Sequence, residues 1–248
     1  MIKKIVNKKT LLILGCIVLI CLLSFFVWTQ FTYKLIDDPT IVLDEEVQLE
    51  NDWLVYTVDD ATTGLILYPG AKVLPEAYAY LAQEVSKQGI SVAIPTVTLN
   101  LPIVDQSKAA EFIERNDEME WFIGGHSMGG AAAAMYADQH LDKVNGLILL
   151  GAYAADNDDL KNSDLPVLSI SGSEDGLSTP EKVENMSDYL PNTTEFVEID
   201  GGNHAYFGVY GSQSGDNEAE ITVGEQQSII VKTMVDWIKQ HQTGSEKP

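Results

Sequence analysis

The first apolar run in the chain has no polar face. From Leu11 to Trp28 no charged residue interrupts it, and Lys3, Lys4, Lys8 and Lys9 precede it. That length is close to the ~20 residues needed to cross a bilayer. The run leaves through "SFFVWTQFTYKL", which is bulky and aromatic. Such an exit suits an uncleaved anchor with interfacial side chains better than the small-residue site of a cleaved signal peptide, the competing reading. The lysines put the N-terminus in the cytoplasm and the remainder outside, as a single-pass cell-membrane protein.

Beyond Thr40 the pattern changes to short β-branched runs alternating with amphipathic ones. Strands are predicted at 53–58, 64–69, 90–95, 120–125, 144–151, 166–172 and 194–199. Helices are predicted at 75–89, 105–116, 127–140, 179–190 and 225–240. Pro75 and Gly89 bracket the first of these in the usual asymmetric way. Apolar strands alternating with helices predict a mostly parallel sheet covered on both faces. The chain thus divides into a basic tail (1–10), a transmembrane helix (11–30), a linker (31–40), one catalytic-size domain (41–241) and a polar tail (242–248).

Composition narrows the partners. The formal net charge is −22, and all 37 acidic residues lie beyond the apolar run. So acidic a surface repels nucleic acid and anionic lipid headgroups. Both cysteines, Cys16 and Cys21, fall inside the apolar run, so the outer domain relies on its core and not on disulfides.

One serine has an unusual setting. "FIGGHSMGGAAAA" carries a strand directly into a helix, with Gly125-His126-Ser127-Met128-Gly129 at the junction. A sharp turn there lifts Ser127 above the sheet edge, provided that Gly125 and Gly129 bring no side chain into it. The new helix also points its first N–H groups at charge forming beside Ser127. The stretch matches neither G-x-G-x-x-G nor a Walker sequence, so phosphate cradles are excluded.

A serine nucleophile needs a base, and the base needs an orienting acid. The chain has 4 histidines. His126 adjoins the serine and should point away across the turn. His140 lies at the far end of the next helix, and His241 lies in the tail. His204, in the loop "DGGNHAYFG" after the last strand, is left. Asp175, in "SGSEDGLS" after the strand at 166–172, is the preferred acid, because functional groups of open parallel sheets gather at the carboxyl edge. Asp156 and Asp200 stay open as weaker candidates, and Glu174 would point elsewhere.

With these residues in hand the chain resembles the α/β-hydrolase superfamily over roughly residues 45–240. More narrowly it is similar to a small lidless bacterial group whose loop reads Tyr-Pro-Gly-(Gly/Ala)-Lys-Val, here Tyr-Pro-Gly-Ala-Lys-Val at Tyr68–Val73. The resemblance implies an eight-stranded sheet with one antiparallel strand near its start, helices on both faces and no cap domain. It also implies an oxyanion hole from the backbone N–H groups of Met128 and Ala71, with Lys72 as second choice for the latter. Pro69 stands where many esterases carry a histidine. Lys72 itself reads as a solvated lysine. The expected activity is a serine carboxylesterase acting on small or accessible acyl esters, with no cofactor and no metal ("DNDD", 156–159, reads as a wet acidic loop). Amide or other acyl transfer on the same triad, or surface binding without catalysis, are the competing classes. The segment 205–224 could cross the site as a lid, and its Tyr206, Phe207 and Tyr210 could line an acyl pocket or pack on the sheet edge.

Overall fold

The computed structural model describes residues 8–44, 47, 49–154 and 160–243. Asp156 and the "DNDD" stretch therefore lie outside the described residues. Helix α1 spans Lys8–Thr29 and is exposed along its apolar length. It is long and apolar enough to cross a membrane, with mean hydropathy 3.0 over its apolar window.

The domain is built on an eight-stranded sheet of order β1-β2-β4-β3-β5-β6-β7-β8. Its strands are β1 Leu49–Glu50, β2 Trp53–Tyr56, β3 Thr63–Tyr68, β4 Ser91–Pro95, β5 Glu120–His126, β6 Gly146–Leu150, β7 Val167–Gly172 and β8 Glu195–Ile199. Strand β2 alone runs against the rest: it is antiparallel to both β1 and β4, and all other pairings are parallel. Only β1 escaped the sequence pattern, because two exposed residues carry no periodicity.

Alternation along each buried strand divides the core in two. Leu65, Leu67, Ile148 and Leu150 face α2 (Ala79–Ser86) and α6 (Val223–His241), together with Leu81, Met234 and Trp237. Ile66, Tyr68, Leu147 and Leu149 face α3 (Lys108–Arg115) and α4 (Met128–Gln139), together with Ile113 and Ala132–Ala134. The period of two thus makes a three-layer sandwich with one core on each side of the sheet. The short helix α5 (Pro180–Met186) follows β7. Several predicted helices begin or end as tighter turns: Pro75–Tyr78 precedes α2, and Ser187–Tyr189 follows α5.

Register brings the loops that matter to one edge. Tyr68 pairs with Gly125, His126 with Leu150, and Gly172 with Ile199. The segments after β3, β5, β7 and β8 therefore leave the same carboxyl edge.

Residues 31–40 are not a free linker. Tyr33 forms an isolated parallel bridge with Val73. Its N–H donates to Lys72 O at 2.7 Å, and its carbonyl accepts from Leu74 N at 2.9 Å. Ile36 N donates to Val209 O at 3.1 Å, and Thr40 Oγ1 accepts from Gly224 N at 3.1 Å. The sequence shows no sign of this, because most of the bonds that dock the strap are made by its backbone and leave no side-chain pattern.

Close contact between β5 and β6 can be tested. A Cβ added to Gly124 would lie 2.6 Å from Ile148 O, a backbone atom that cannot swing aside. Gly124→Ala should destabilise the full chain by about 1–3 kcal/mol in detergent-phase chemical denaturation. Wild-type stability in that variant would contradict the register.

Candidate active site

The chain turns from β5 into α4 within one residue. Ser127 has φ 54° and ψ −124°, a conformation L-residues rarely adopt. Its N–H donates to Leu150 O at 3.0 Å, which ties the turn to β6. A Cβ on Gly125 would sit 2.3 Å from the Gly129 carbonyl group, and one on Gly129 would sit 2.3 Å from Tyr68 O. A Cβ on Gly130 would sit 2.4 Å from the Ala152 side chain. The turn closes only because these positions lack side chains. Bonds back to the Ser127 carbonyl begin with Gly130 N at 2.9 Å, so the Met128 amide at the helix start is one of those with no intrahelical partner.

Beside this turn lie the loops after β7 and β8. His204 Nδ1 donates to Asp175 Oδ2 at 2.7 Å, and both side chains are buried. Asp175 Oδ1 accepts from the N–H groups of Leu177 (2.8 Å) and Ser178 (2.6 Å). The carboxylate is therefore held from both ends and fixes the imidazole with its proton on Nδ1. The lone pair on His204 Nε2 is left buried, with no hydrogen-bond partner among the described residues. An imidazole in that tautomer takes a proton at Nε2. Asp200 is exposed and Glu174 half-buried. His140 and His241 bond to carbonyls of their own helices, those of Tyr136 and Trp237.

A residue missed in the sequence locks these loops together. Asp216 accepts from Gly176 N (3.0 Å), His204 N (3.2 Å) and Ala205 N (2.8 Å). One carboxylate thus ties the loop of Asp175 to the loop of His204. From below, Gln226 of α6 bonds both ways with the backbone of Asn203, at 3.0 and 2.8 Å. The start of 205–224 is packed inward: Phe207 and Tyr210 are buried in the core facing α2 and α6.

Backbone accounting in the loop after β3 singles out one donor. Gly70 N donates to Tyr78 Oη at 2.8 Å, Lys72 N to Asn100 O at 2.7 Å, and Val73 N to Gly70 O at 3.1 Å. Among the described residues, only the Ala71 N–H of residues 70–73 is left without a partner. Lys72 has φ 61°, and its Nζ lies over the Trp28 ring, 4.2 Å from the centroid. Its N–H is not a second free donor, and its half-buried side chain rests on an aromatic ring.

His126 is the other surprise. Its ring is fully buried, stacks on Phe207 at 5.6 Å and lies 4.5 Å from the His204 ring. Its Nδ1 is 2.8 Å from Tyr78 Oη. Burial holds the Tyr78 hydroxyl well above the usual tyrosine range, so it stays protonated. Because that oxygen accepts from Gly70, its proton goes to His126 Nδ1. Burial first, and the neighbouring His204 second, hold His126 well below the usual histidine range, opposed by the backbone of His204. A neutral histidine therefore links the β5–α4 turn to the Gly70 loop. Among the described residues no three His, Cys, Asp or Glu side chains gather as metal ligands would.

Similar proteins can now be set beside this geometry. Residues 64–228 match the Alpha/beta hydrolase family. The fold is similar to a monoacylglycerol lipase from Paleococcus ferrophilus, with 15% identity, TM-score 0.60, and 80% of this chain and 100% of that one covered. It is similar to the esterase domain of a Rhodothermus marinus protein, with 14% identity, TM-score 0.60, and coverage of 76% and 92%. A dienelactone hydrolase from Anabaena variabilis matches with 14% identity, TM-score 0.59, and coverage of 76% and 91%. No match is found among curated proteins.

The buried histidine makes stability depend on pH. The unfolded chain binds a proton at His126 near pH 6.5, and the folded chain does not. That contribution is complete above pH 6.5 and is lost as pH falls below it, at up to about 1.4 kcal/mol per pH unit. His126→Gln removes this part of the slope. Relative to wild type the variant should gain about 1 kcal/mol between pH 6.5 and 5.5, read by urea denaturation at each pH. Parallel pH profiles would mean that His126 is protonated in the folded chain.

Proposed function

The chain belongs to the Alpha/beta hydrolase family, and from that premise we propose that it is a serine esterase whose nucleophile is Ser127, whose base is His204 and whose orienting acid is Asp175. The observation that carries this is the buried His204–Asp175 hydrogen bond of 2.7 Å, with Nε2 unpartnered, beside the strained turn at Ser127. A hydrogen-bonded acid behind a histidine, and a serine held in a rare conformation in front of it, together support acyl transfer.

In this reading His204 Nε2 takes the Ser127 proton as Oγ attacks an acyl carbonyl. The carbonyl electrons move to oxygen, and the N–H groups of Met128 and Ala71 stabilise that oxyanion, at about 3 kcal/mol per donor. Collapse expels the alcohol, which leaves with the proton from His204. Water then attacks the acyl-enzyme, gives its proton to the same nitrogen, and collapse returns the proton to Ser127 and releases the acid. Asp175 keeps the productive tautomer and stabilises the imidazolium. Gly125 and Gly129 permit the elbow. Asp216, His126 and Tyr78 position these groups without touching substrate.

Ester substrates are favoured by the likeness to structural neighbours that include a lipase and an esterase domain. Residues 151–166 between β6 and β7 are too few for a helical cap, which favours an open, shallow site for short or exposed acyl groups. The reading extends to location: α1 is an uncleaved anchor with a cytoplasmic N-terminus and an outward-facing domain.

Ser127→Ala should abolish turnover of p-nitrophenyl acetate by the full chain in detergent, with the circular-dichroism spectrum unchanged. Asp175→Asn should lower kcat by about 10⁴-fold, because it leaves the imidazole in the wrong tautomer. Undiminished turnover in Ser127→Ala would remove the proposal. A mild effect of Asp175→Asn would move the acid elsewhere.

A further inference from the structure

The loop that carries Ala71 is fastened to the end of the apolar helix. Three contacts make the joint. Lys72 Nζ lies 4.2 Å from the centroid of the Trp28 ring, a cation–π contact. Asn100 Nδ2 donates to Thr29 O at 3.0 Å, while Asn100 O accepts from Lys72 N at 2.7 Å. Tyr33 then pairs on both sides with the backbone of Lys72–Leu74. Thr29 is fully buried although the rest of α1 is exposed. A signal peptide cut near residue 30 would discard Trp28 and Thr29 and break the first two contacts. A permanent anchor keeps them.

This joint fixes how far the site stands from a bilayer. At ~1.5 Å per residue the 22 residues of α1 span about 33 Å, close to the ~30 Å hydrocarbon thickness. Trp28 occupies the last turn, where an aromatic ring sits at headgroup level. One residue, Asn100, bridges from the helix end to the Lys72 amide, next in the chain to Ala71. The surroundings match such a location. Phe31 is 69% exposed, and Ile103 and Val104, just past Asn100, are 37% and 55% exposed. Phe31 lies at the helix exit, and Ile103 and Val104 follow within four residues of Asn100, which bonds to that exit, in an otherwise strongly acidic protein of net charge −22. Charge does not draw such a domain to a membrane; the helix and its apolar collar do.

We infer that the anchor sets where the site stands and takes no part in the chemistry: the joint at the end of α1 holds the domain with its Ala71 loop at the bilayer surface, so the enzyme acts on ester groups carried by membrane-resident amphiphiles. A shallow site needs only the ester at headgroup level, while the hydrophobic remainder of the substrate stays in the bilayer. The occupant of the apolar collar is the lipid surface itself. This inference rests on the esterase reading above.

The test separates the two. The full chain is reconstituted in phosphatidylcholine vesicles and given two probes with the same reacting group. One is a soluble coumarin acetate, the other the acetate of a hexadecyl-substituted coumarin that partitions into the vesicle. A flexible Gly-Ser insertion of about twenty residues after Gln30 frees the domain from the helix end but leaves the Tyr33 pairing in place. Its end-to-end reach is roughly 25 Å. The insertion should leave turnover of the soluble acetate within twofold of wild type and lower turnover of the vesicle-held acetate at least tenfold. Equal turnover of the vesicle-held probe by both proteins would overturn the inference, and so would a proportionate loss on both probes, which marks a purely structural joint. Failure of the wild-type chain to hydrolyse either probe would instead strike the esterase reading.

Discussion

A backbone that reverses direction at Ser127 is the constraint on which the rest of this site depends. Its φ of 54° and ψ of −124° hold the serine clear of the sheet edge, and the cost is met by the neighbours' missing side chains. Gly125 and Gly129 meet each other across the turn, Gly129 sits against the carbonyls of Tyr68 and Pro69, and Gly130 sits against Ala152. These contacts also fix the distance between β3, β5 and β6. With those strands in register, the loops after β3, β7 and β8 have only one edge at which to gather. The turn therefore sets both the position of the serine and the frame around it.

Polar groups then complete what sterics begin. Asp175 is bonded at both carboxylate oxygens, and Asp216 collects amides from two loops that are distant in sequence. The Gly70–Tyr78–His126 chain of hydrogen bonds joins the loop after β3 to the end of β5. Asp175, Tyr78 and His126 are buried and Asp216 is half-buried, and removal of any of them would leave partners unpaired, so the network specifies one arrangement of the edge. Among the described residues the Nε2 of His204 is buried without a hydrogen-bond partner, and in the proposed reading it and the N–H of Ala71 are an acceptor and a donor that acyl transfer uses.

Much of this was legible in the sequence, for physical reasons. The two-residue period of the buried strands and the strand-to-helix glycines announce the sheet and the turn. The positions of Asp175 and His204, each in the loop after a strand, put them at the carboxyl edge, where the structure joins them at 2.7 Å. Other features leave no such trace. Strand β1 is too short to show a period. Asp216 reads as one more acid in a polar loop, because its role lies in backbone amides from elsewhere. His126 reads only as a neighbour of the serine that points away from it; nothing in the pattern announces Tyr78, whose hydroxyl lies 2.8 Å from Nδ1, or the ring's place in the core beside His204. The segment 31–40 reads as a linker because its docking runs largely through main-chain bonds from Tyr33 and Ile36, and the ring contact of Lys72 is hidden because Trp28 belongs to the apolar helix.

In the proposed reading one serine, set in this turn, carries the reactive hydroxyl. Covalent mapping tests this: the full chain in detergent is treated with a fluorophosphonate, digested, and its peptides are weighed by mass spectrometry. A single organophosphonyl adduct is expected, on the peptide containing Ser127. An adduct on any other serine, or esterase turnover that survives with Ser127 unmodified, would contradict it.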